Sequence, residues 1–195
     1  MQKRSTSPNQ GSWKSHSSKI VYENNWGRRI REHEVTRPNG RQGIYSVMEI
    51  PPGVVILTVT AKKEIYLIEQ YRFPIAQNSI ELPSGGIDDL AEDPLIAAQR
   101  ELKEETGIEA KKWTRLGELC FSTGSSNERS TVYLAEDLTE TNEHEQEQEG
   151  LVKLHKIKLP DLLAMIKKGE IVDASSIASL LLAADYLNIG FKAHK

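Results

Sequence analysis

Seven carboxylates lie between Gly86 and Ile108, and several fall at close helical spacing. Glu101 and Glu105 are four residues apart and Glu101 and Glu104 are three apart, so on a helix they share one face. Like charges so placed repel by a few tenths of a kcal/mol per pair. A hard cation between them turns that repulsion into ligation. Mg²⁺ and Mn²⁺ favour all-oxygen sites, and Mg²⁺ commonly joins one or two carboxylates to a substrate phosphate. Glu92 can ligate as well, or stand behind the ligands. Arg100 is four residues before Glu104 and can hold that side chain.

The flanks of this stretch predict the helix that must carry it. Asp93 is a good N-cap, Pro94 suits the first helical position and Gly107 the C-cap. Leu95, Ala98 and Leu102 form an apolar stripe for a core. Gly85-Gly86 lets the backbone turn sharply before the helix and leaves a carbonyl that can face a metal. A merely solvated acidic helix accounts for neither the glycine turn nor the fixed placing of Glu92, Arg100 and the final glutamates.

This stretch resembles the Nudix box, Gly-x5-Glu-x7-Arg-Glu-U-x-Glu-Glu-x-Gly-U with U aliphatic. Gly86, Glu92, Arg100, Glu101, Leu102, Glu104, Glu105, Gly107 and Ile108 fill its fixed positions. The flanks Glu69-Gln-Tyr-Arg-Phe-Pro74, Glu81-Leu-Pro-Ser-Gly-Gly-Ile-Asp88, Asn127-Glu-Arg-Ser130 and Gly169-Glu-Ile-Val-Asp173-Ala-Ser-Ser-Ile resemble the branch that cleaves ADP-ribose and other nucleoside diphosphate sugars. The resemblance implies a Mg²⁺-dependent (or Mn²⁺-dependent) pyrophosphatase that yields a nucleoside monophosphate and a sugar phosphate. It implies Glu101, Glu105 and the Gly85 carbonyl as metal ligands, with Glu104 and Arg100 in support. A base or further ligand is expected from the acidic loop, with Glu149 and Glu147 the foremost candidates and Glu145 behind them; His144 is read as a surface residue. Members of the branch are usually homodimers, whose N-terminal sheet helps form the partner's substrate pocket. In one respect the chain departs from the pattern: Thr123 stands where ADP-ribose pyrophosphatases usually carry proline. GDP-mannose and ADP-glucose therefore stay open beside ADP-ribose.

The remaining sequence predicts an α/β sandwich with a mixed sheet, preceded by a small antiparallel sheet. Residues 1–19 read as a polar flexible tail, 20–52 as the N-terminal sheet and 53–195 as the catalytic domain. Strands are expected at Ile20–Glu23, Arg28–Val35, Ile44–Ile50, Val54–Thr60, Ile65–Tyr71, Trp113–Phe121, Ser130–Ala135 and Leu151–Ile157. Asp137 to Glu149 reads as a long acidic loop. Helices are expected from Leu159 to Lys168 and from Asp173 through Tyr186, with Ile177, Leu180, Leu181, Leu182 and Ala183 largely buried. A three-stranded sheet has little core of its own and needs a surface to cover it.

Other candidates carry two readings each. Arg72 can grip a substrate phosphate with two hydrogen bonds or make a surface ion pair. Glu81 is placed to orient a group of the metal site. Arg129, and Arg28, Arg29 and Arg31 of the N-terminal sheet, can reach a substrate or face water. Trp26 or Tyr45 can stack on a base or pack between strands, and Trp13 can dock on a neighbouring surface.

Composition sets the outer bounds. A chain of 195 residues with net charge -3 and interspersed charges has no basic patch for nucleic acid. No apolar run approaches the roughly 20 residues that span a bilayer, and the N-terminus lacks the apolar stretch of a signal peptide. A single cysteine, Cys120, excludes an internal disulfide and suits a reducing cytoplasm; its apolar setting predicts a packed thiol. Two other classes remain: a Nudix enzyme acting on dinucleoside polyphosphates or nucleoside triphosphates, and a non-catalytic sensor of nucleotide sugars.

Overall fold

Val54 to Leu57 lacks the polar alternation of a strand that faces water on one side, so both its faces must be covered. In the computed structural model, which describes residues 13–87, 91–141 and 151–189, this run forms β4 (Gly53–Thr58), buried along its whole length. Its alternate side chains feed two cores. Val54 and Ile56 join Ala97, Ala98 and Leu102 of helix α1 (Pro94–Thr106). Val55 and Leu57 join Leu162 of α2 (Leu159–Lys168) and Leu180 of α3 (Ala174–Leu182). Helices on both faces of a mixed sheet make the layered α/β arrangement.

β4 sits in a four-stranded sheet. It pairs antiparallel with β7 (Ser84–Gly86) and parallel with β9 (Arg129–Glu140), and β8 (Ile108–Cys120) is the edge beyond β9. A second, antiparallel sheet has the order β10 (Leu151–Lys158), β5 (Glu64–Arg72), β6 (Gln77–Glu81). A short 3₁₀ turn, Phe73–Ile75, joins β5 to β6. The chain then passes from β6 to β7, and so from one sheet to the other, through Leu82 and Pro83 alone.

The chain divides into two compact units, one of residues 52–121 with 129–195 and the other of residues up to 51 with Ser122–Glu128. The second holds the antiparallel sheet β1 (Lys14–Glu23), β2 (Arg29–Thr36), β3 (Gln42–Glu49). The return of 122–128 crosses the expected division at residue 52. Asn127 donates its backbone N–H to the Met48 carbonyl and accepts from the Ile50 N–H through its side chain. Trp13 stands edge-on to Tyr45 at 5.3 Å, so both aromatics pack within this unit. Ile20, Val21, Tyr22, Ile30, Ile44 and Met48 are exposed on it.

Four expectations need correction. β1 begins at Lys14, inside the stretch read as a tail, because Lys14–Ser18 pairs with Thr36–His33 of β2. Its side chains are mostly exposed, so no alternation marks the strand. β9 continues through Asp137 to Glu140, in the segment read as a loop, by pairing with β8 back to Ile108. Cys120 is exposed, because it ends an edge strand. The last helix breaks at Ala183 before a short α4 (Ala184–Leu187); Leu180 and Ala183 are buried, but Ile177 and Leu181 are exposed, and Leu182 stays largely exposed beside Gly117 of β8. No helix among the described residues is long and apolar enough to cross a membrane.

On the buried side of α3, the Ser179 hydroxyl is fully buried and has no hydrogen-bond partner among the described residues. An unpaired buried polar group is destabilising. Ser179→Ala should therefore raise the free energy of unfolding by about 1 kcal/mol in a urea titration. A loss of stability of that size would show that the hydroxyl is bonded.

Candidate active site

Helix α1 is fixed at both ends by the residues expected to fix it. Asp93 accepts a hydrogen bond from the Leu95 N–H at 2.8 Å, and Gly107, at φ 67°, closes the C-terminus by donating to the Lys103 carbonyl. The helix repeat then sets Ala98, Leu102 and Glu105 on one stripe. Ala98 and Leu102 are fully buried and Glu105 is 5% exposed, so a carboxylate takes the place of the next apolar side chain. Burying it without a partner would be strongly unfavourable. The Ser84 backbone N–H meets it, donating to Oε2 at 2.9 Å.

The next residue receives Glu101. A Cβ on Gly85 would stand 2.0 Å from the Glu101 carboxylate carbon, so the carboxylate occupies the space of the missing side chain. Gly53, on the facing strand, is also required: a Cβ there would lie 2.8 Å from the Gly85 carbonyl oxygen and 3.0 Å from Ser130 Oγ. Glu101, Glu105 and the Gly85 backbone thus gather at the N-terminal end of β4.

Arg100 collects the outer carboxylates. Its Nη1 donates to Glu101 Oε1 at 2.7 Å and to Glu104 Oε2 at 3.1 Å; Nη2 donates to the Gly86 carbonyl at 3.2 Å and lies 3.6 Å from Glu92 Oε2. Partial burial opposes its charge, but the field of Glu101 and the bonds to Glu101, Glu104 and Glu92 outweigh that and hold its pKa well above the ordinary arginine value.

A second ion pair borders the site. Arg72, the last residue of β5, forks onto Glu81 at the end of β6, with Nε at 3.0 and 3.1 Å from the two carboxylate oxygens and Nη2 on Oε2. Glu81 is 6% exposed. The hydrogen bonds to Glu81 raise the Arg72 pKa, and the charges of Glu105 and Asp173 add to the effect. Glu81 therefore holds the arginine directly.

The remaining candidates have bonding partners within their own unit or lie outside the described residues. Arg129 pairs with Glu118 across β8 and β9. Arg29 pairs with Glu23, and Arg31 with Glu49, within the N-terminal sheet. Arg28 donates its backbone N–H to Asn24. Glu145, Glu147, Glu149 and His144 lie outside the described residues. Three contributors had no expectation attached to them. Gly53 follows two prolines and reads as a turn. Ser84 acts through its backbone N–H, which no residue type announces. Ser176 belongs to the Asp173-Ala-Ser-Ser segment, but its partner, the Leu82 N–H at 2.8 Å, is distant in sequence.

The group suits a hard divalent cation. Its donors are carboxylate and carbonyl oxygens, the ligand chemistry of Mg²⁺ and Mn²⁺. One carboxylate rests in a cradle that a single Cβ would fill, and another is held inside the core. Among the described residues no three His, Cys, Asp or Glu side chains are arranged to hold a metal ion; the carboxylates of Glu92, Glu101 and Glu104 are grouped on Arg100 instead.

Comparison with known proteins places the chain in a wider set. Residues 49–178 match the NUDIX domain family, and residues 13–48 match the nucleoside diphosphate sugar hydrolase N-terminal domain. The chain is 33% identical over 144 residues to an ADP-ribose pyrophosphatase of Bacillus subtilis (strain 168), covering 73% of this chain and 77% of that protein. It is 28% identical over 173 residues to a GDP-mannose pyrophosphatase of Citrobacter koseri, covering 83% and 90% respectively. A solved structure described as an ADP compounds hydrolase shares the fold, with TM-score 0.79 at 21% identity over 92% of this chain and 96% of that one.

The Gly85 cradle gives a direct test. In Gly85→Ala the obstructed atoms are the far end of a flexible side chain, so Glu101 moves and the fold persists. Mn²⁺ affinity, measured by titration followed by electron paramagnetic resonance, should fall by about tenfold or more while the melting temperature changes little. Unchanged Mn²⁺ affinity would show that the placing of Glu101 is immaterial to metal binding.

Proposed function

The chain belongs to the NUDIX family, and from that premise we propose that it hydrolyses the pyrophosphate bond of a nucleoside diphosphate sugar to a nucleoside monophosphate and a sugar phosphate. The observation that carries the reading is the buried Glu105, held by the Ser84 N–H beside a Glu101 carboxylate seated on Gly85. The match of residues 13–48 to the N-terminal domain of nucleoside diphosphate sugar hydrolases supports the substrate class, as do the ADP-ribose and GDP-mannose pyrophosphatases among the relatives.

Glu101, Glu105 and the Gly85 carbonyl would hold a divalent cation, Mg²⁺ or Mn²⁺, which would supply charge neutralisation of the diphosphate and a lowered pKa for the attacking water. Arg100 keeps Glu104 and Glu92 in place and sets the Glu101 carboxylate. Arg72, fixed by Glu81 through Nε and Nη2, offers its Nη1 protons to a substrate phosphate. One of Glu145, Glu147 and Glu149 accepts the proton of the attacking water. Arg129, Arg28 and Arg29 contact the nucleotide or the sugar phosphate. The protein works as a cytoplasmic homodimer in which the N-terminal sheet serves the partner's site; the exposed Tyr22, Ile30, Ile44 and Met48, which the strand register sets on one face, favour a covered face there. ADP-ribose, GDP-mannose and ADP-glucose are the substrates to test.

A panel of nucleotide sugars assayed with Mg²⁺ should yield the monophosphate pair for at least one member, with no inorganic phosphate. Glu105→Gln should lower that turnover by more than the roughly 10–100-fold typical of groups that only support a ligand, with the fold intact by circular dichroism. Near-normal turnover in Glu105→Gln would overturn the assignment of this site.

A further inference from the structure

Three backbone groups along the crossing from β6 to β7 are taken up by three different elements. The β5–β6 ladder ends at Ile68–Glu81, so the N–H of Leu82, a residue 1% exposed, has no strand partner there. A buried N–H without a partner is rare, and this one donates to Ser176 Oγ at 2.8 Å. Pro83 has no N–H to place, and its carbonyl accepts from the Ile56 N–H at 2.8 Å. The Ser84 N–H goes to Glu105 at 2.9 Å. Leu82 thus lies between Glu81, which fixes Arg72, and the dipeptide that leads to Glu105.

Ser176 is itself 1% exposed. Because its oxygen accepts from Leu82, its hydroxyl proton is directed to Asp173 Oδ2, 2.7 Å away. That oxygen also accepts from the Ser176 N–H at 2.7 Å and from the Ser175 hydroxyl at 2.5 Å. The helix cap needs only Asp173 and the Ser176 backbone. The Ser176 hydroxyl is superfluous to the cap and serves the crossing segment.

We propose that Asp173 and Ser176, at the start of α3, are positioning residues for the metal-binding carboxylate: through Leu82 they set where the Ser84 N–H stands and hence where Glu105 is held. This rests on the reading of Glu105 as a metal ligand. Ser176→Ala leaves the cap and removes the anchor.

The test is Mn²⁺ titration of the full chain without substrate, followed by electron paramagnetic resonance, alongside thermal melting. Ser176→Ala should weaken Mn²⁺ binding roughly tenfold, as loss of a group supporting a ligand does. Leu162→Ala, a core cavity in α2, should lower the melting temperature at least as much and leave Mn²⁺ affinity at the wild-type value. If Ser176→Ala does not fold, Asp173→Asn, which keeps an acceptor for the hydroxyl and the cap, takes its place and should weaken binding by a smaller factor. Glu105→Gln is the reference. Wild-type Mn²⁺ affinity in the anchor variant with binding lost in Glu105→Gln overturns the positioning role alone. Wild-type affinity in Glu105→Gln overturns the ligand reading and the proposal with it. Equal weakening in Leu162→Ala would reduce the effect to general destabilisation and also overturn it.

Discussion

A carboxylate on the core-facing stripe of a helix must be held by something, and the catalytic unit is organised around that demand at Glu105. Ala98 and Leu102 bury α1 against β4, and Glu105 follows on the same stripe at 5% exposure. Burying such a group without a partner would be strongly unfavourable. A donor from the backbone keeps it in place as an acceptor, and that donor exists only because the chain leaves β6, crosses to the other sheet and arrives at Ser84 with its N–H pointing at the helix. The crossing takes two residues, so small shifts at Leu82 pass directly to the site.

The rest of the site manages charge at close range. Glu101 gains its place from the two glycines of facing strands, Gly53 and Gly85, one admitting the carboxylate and the other admitting the Gly85 carbonyl. Arg100 balances the carboxylates that remain, reaching Glu92, Glu101 and Glu104 from one guanidinium. Its planar fork suits this role where a lysine ammonium would not. Arg72 and Glu81 repeat the arrangement at the sheet ends. In the proposed mechanism these arginines do different work, one restraining carboxylates and the other presenting donors to phosphate.

What was legible in the sequence follows from what pattern reports. The caps Asp93 and Gly107, the buried run of β4, and the spacing of Glu101 and Glu105 are local signals, and the structure realises each of them. The strand starting at Lys14 and the extension of β9 to Glu140 leave no such trace, since both are held by pairing with distant residues while most of their side chains face water. The exposed Leu181 and Leu182 show the converse: a continuous apolar run does not say which of its members meet the core. Gly53, the Ser84 N–H and Ser176 became visible only once β4, β7 and α3 were brought together, because each acts on a partner far along the chain.

The most direct measurement of the central claim is anomalous diffraction from crystals soaked in Mn²⁺. The account predicts a peak bounded by the Glu101 and Glu105 carboxylates and the Gly85 carbonyl, with Arg100 retained on Glu104. Mn²⁺ bound elsewhere in the chain, with no peak between Glu101 and Glu105, would contradict it.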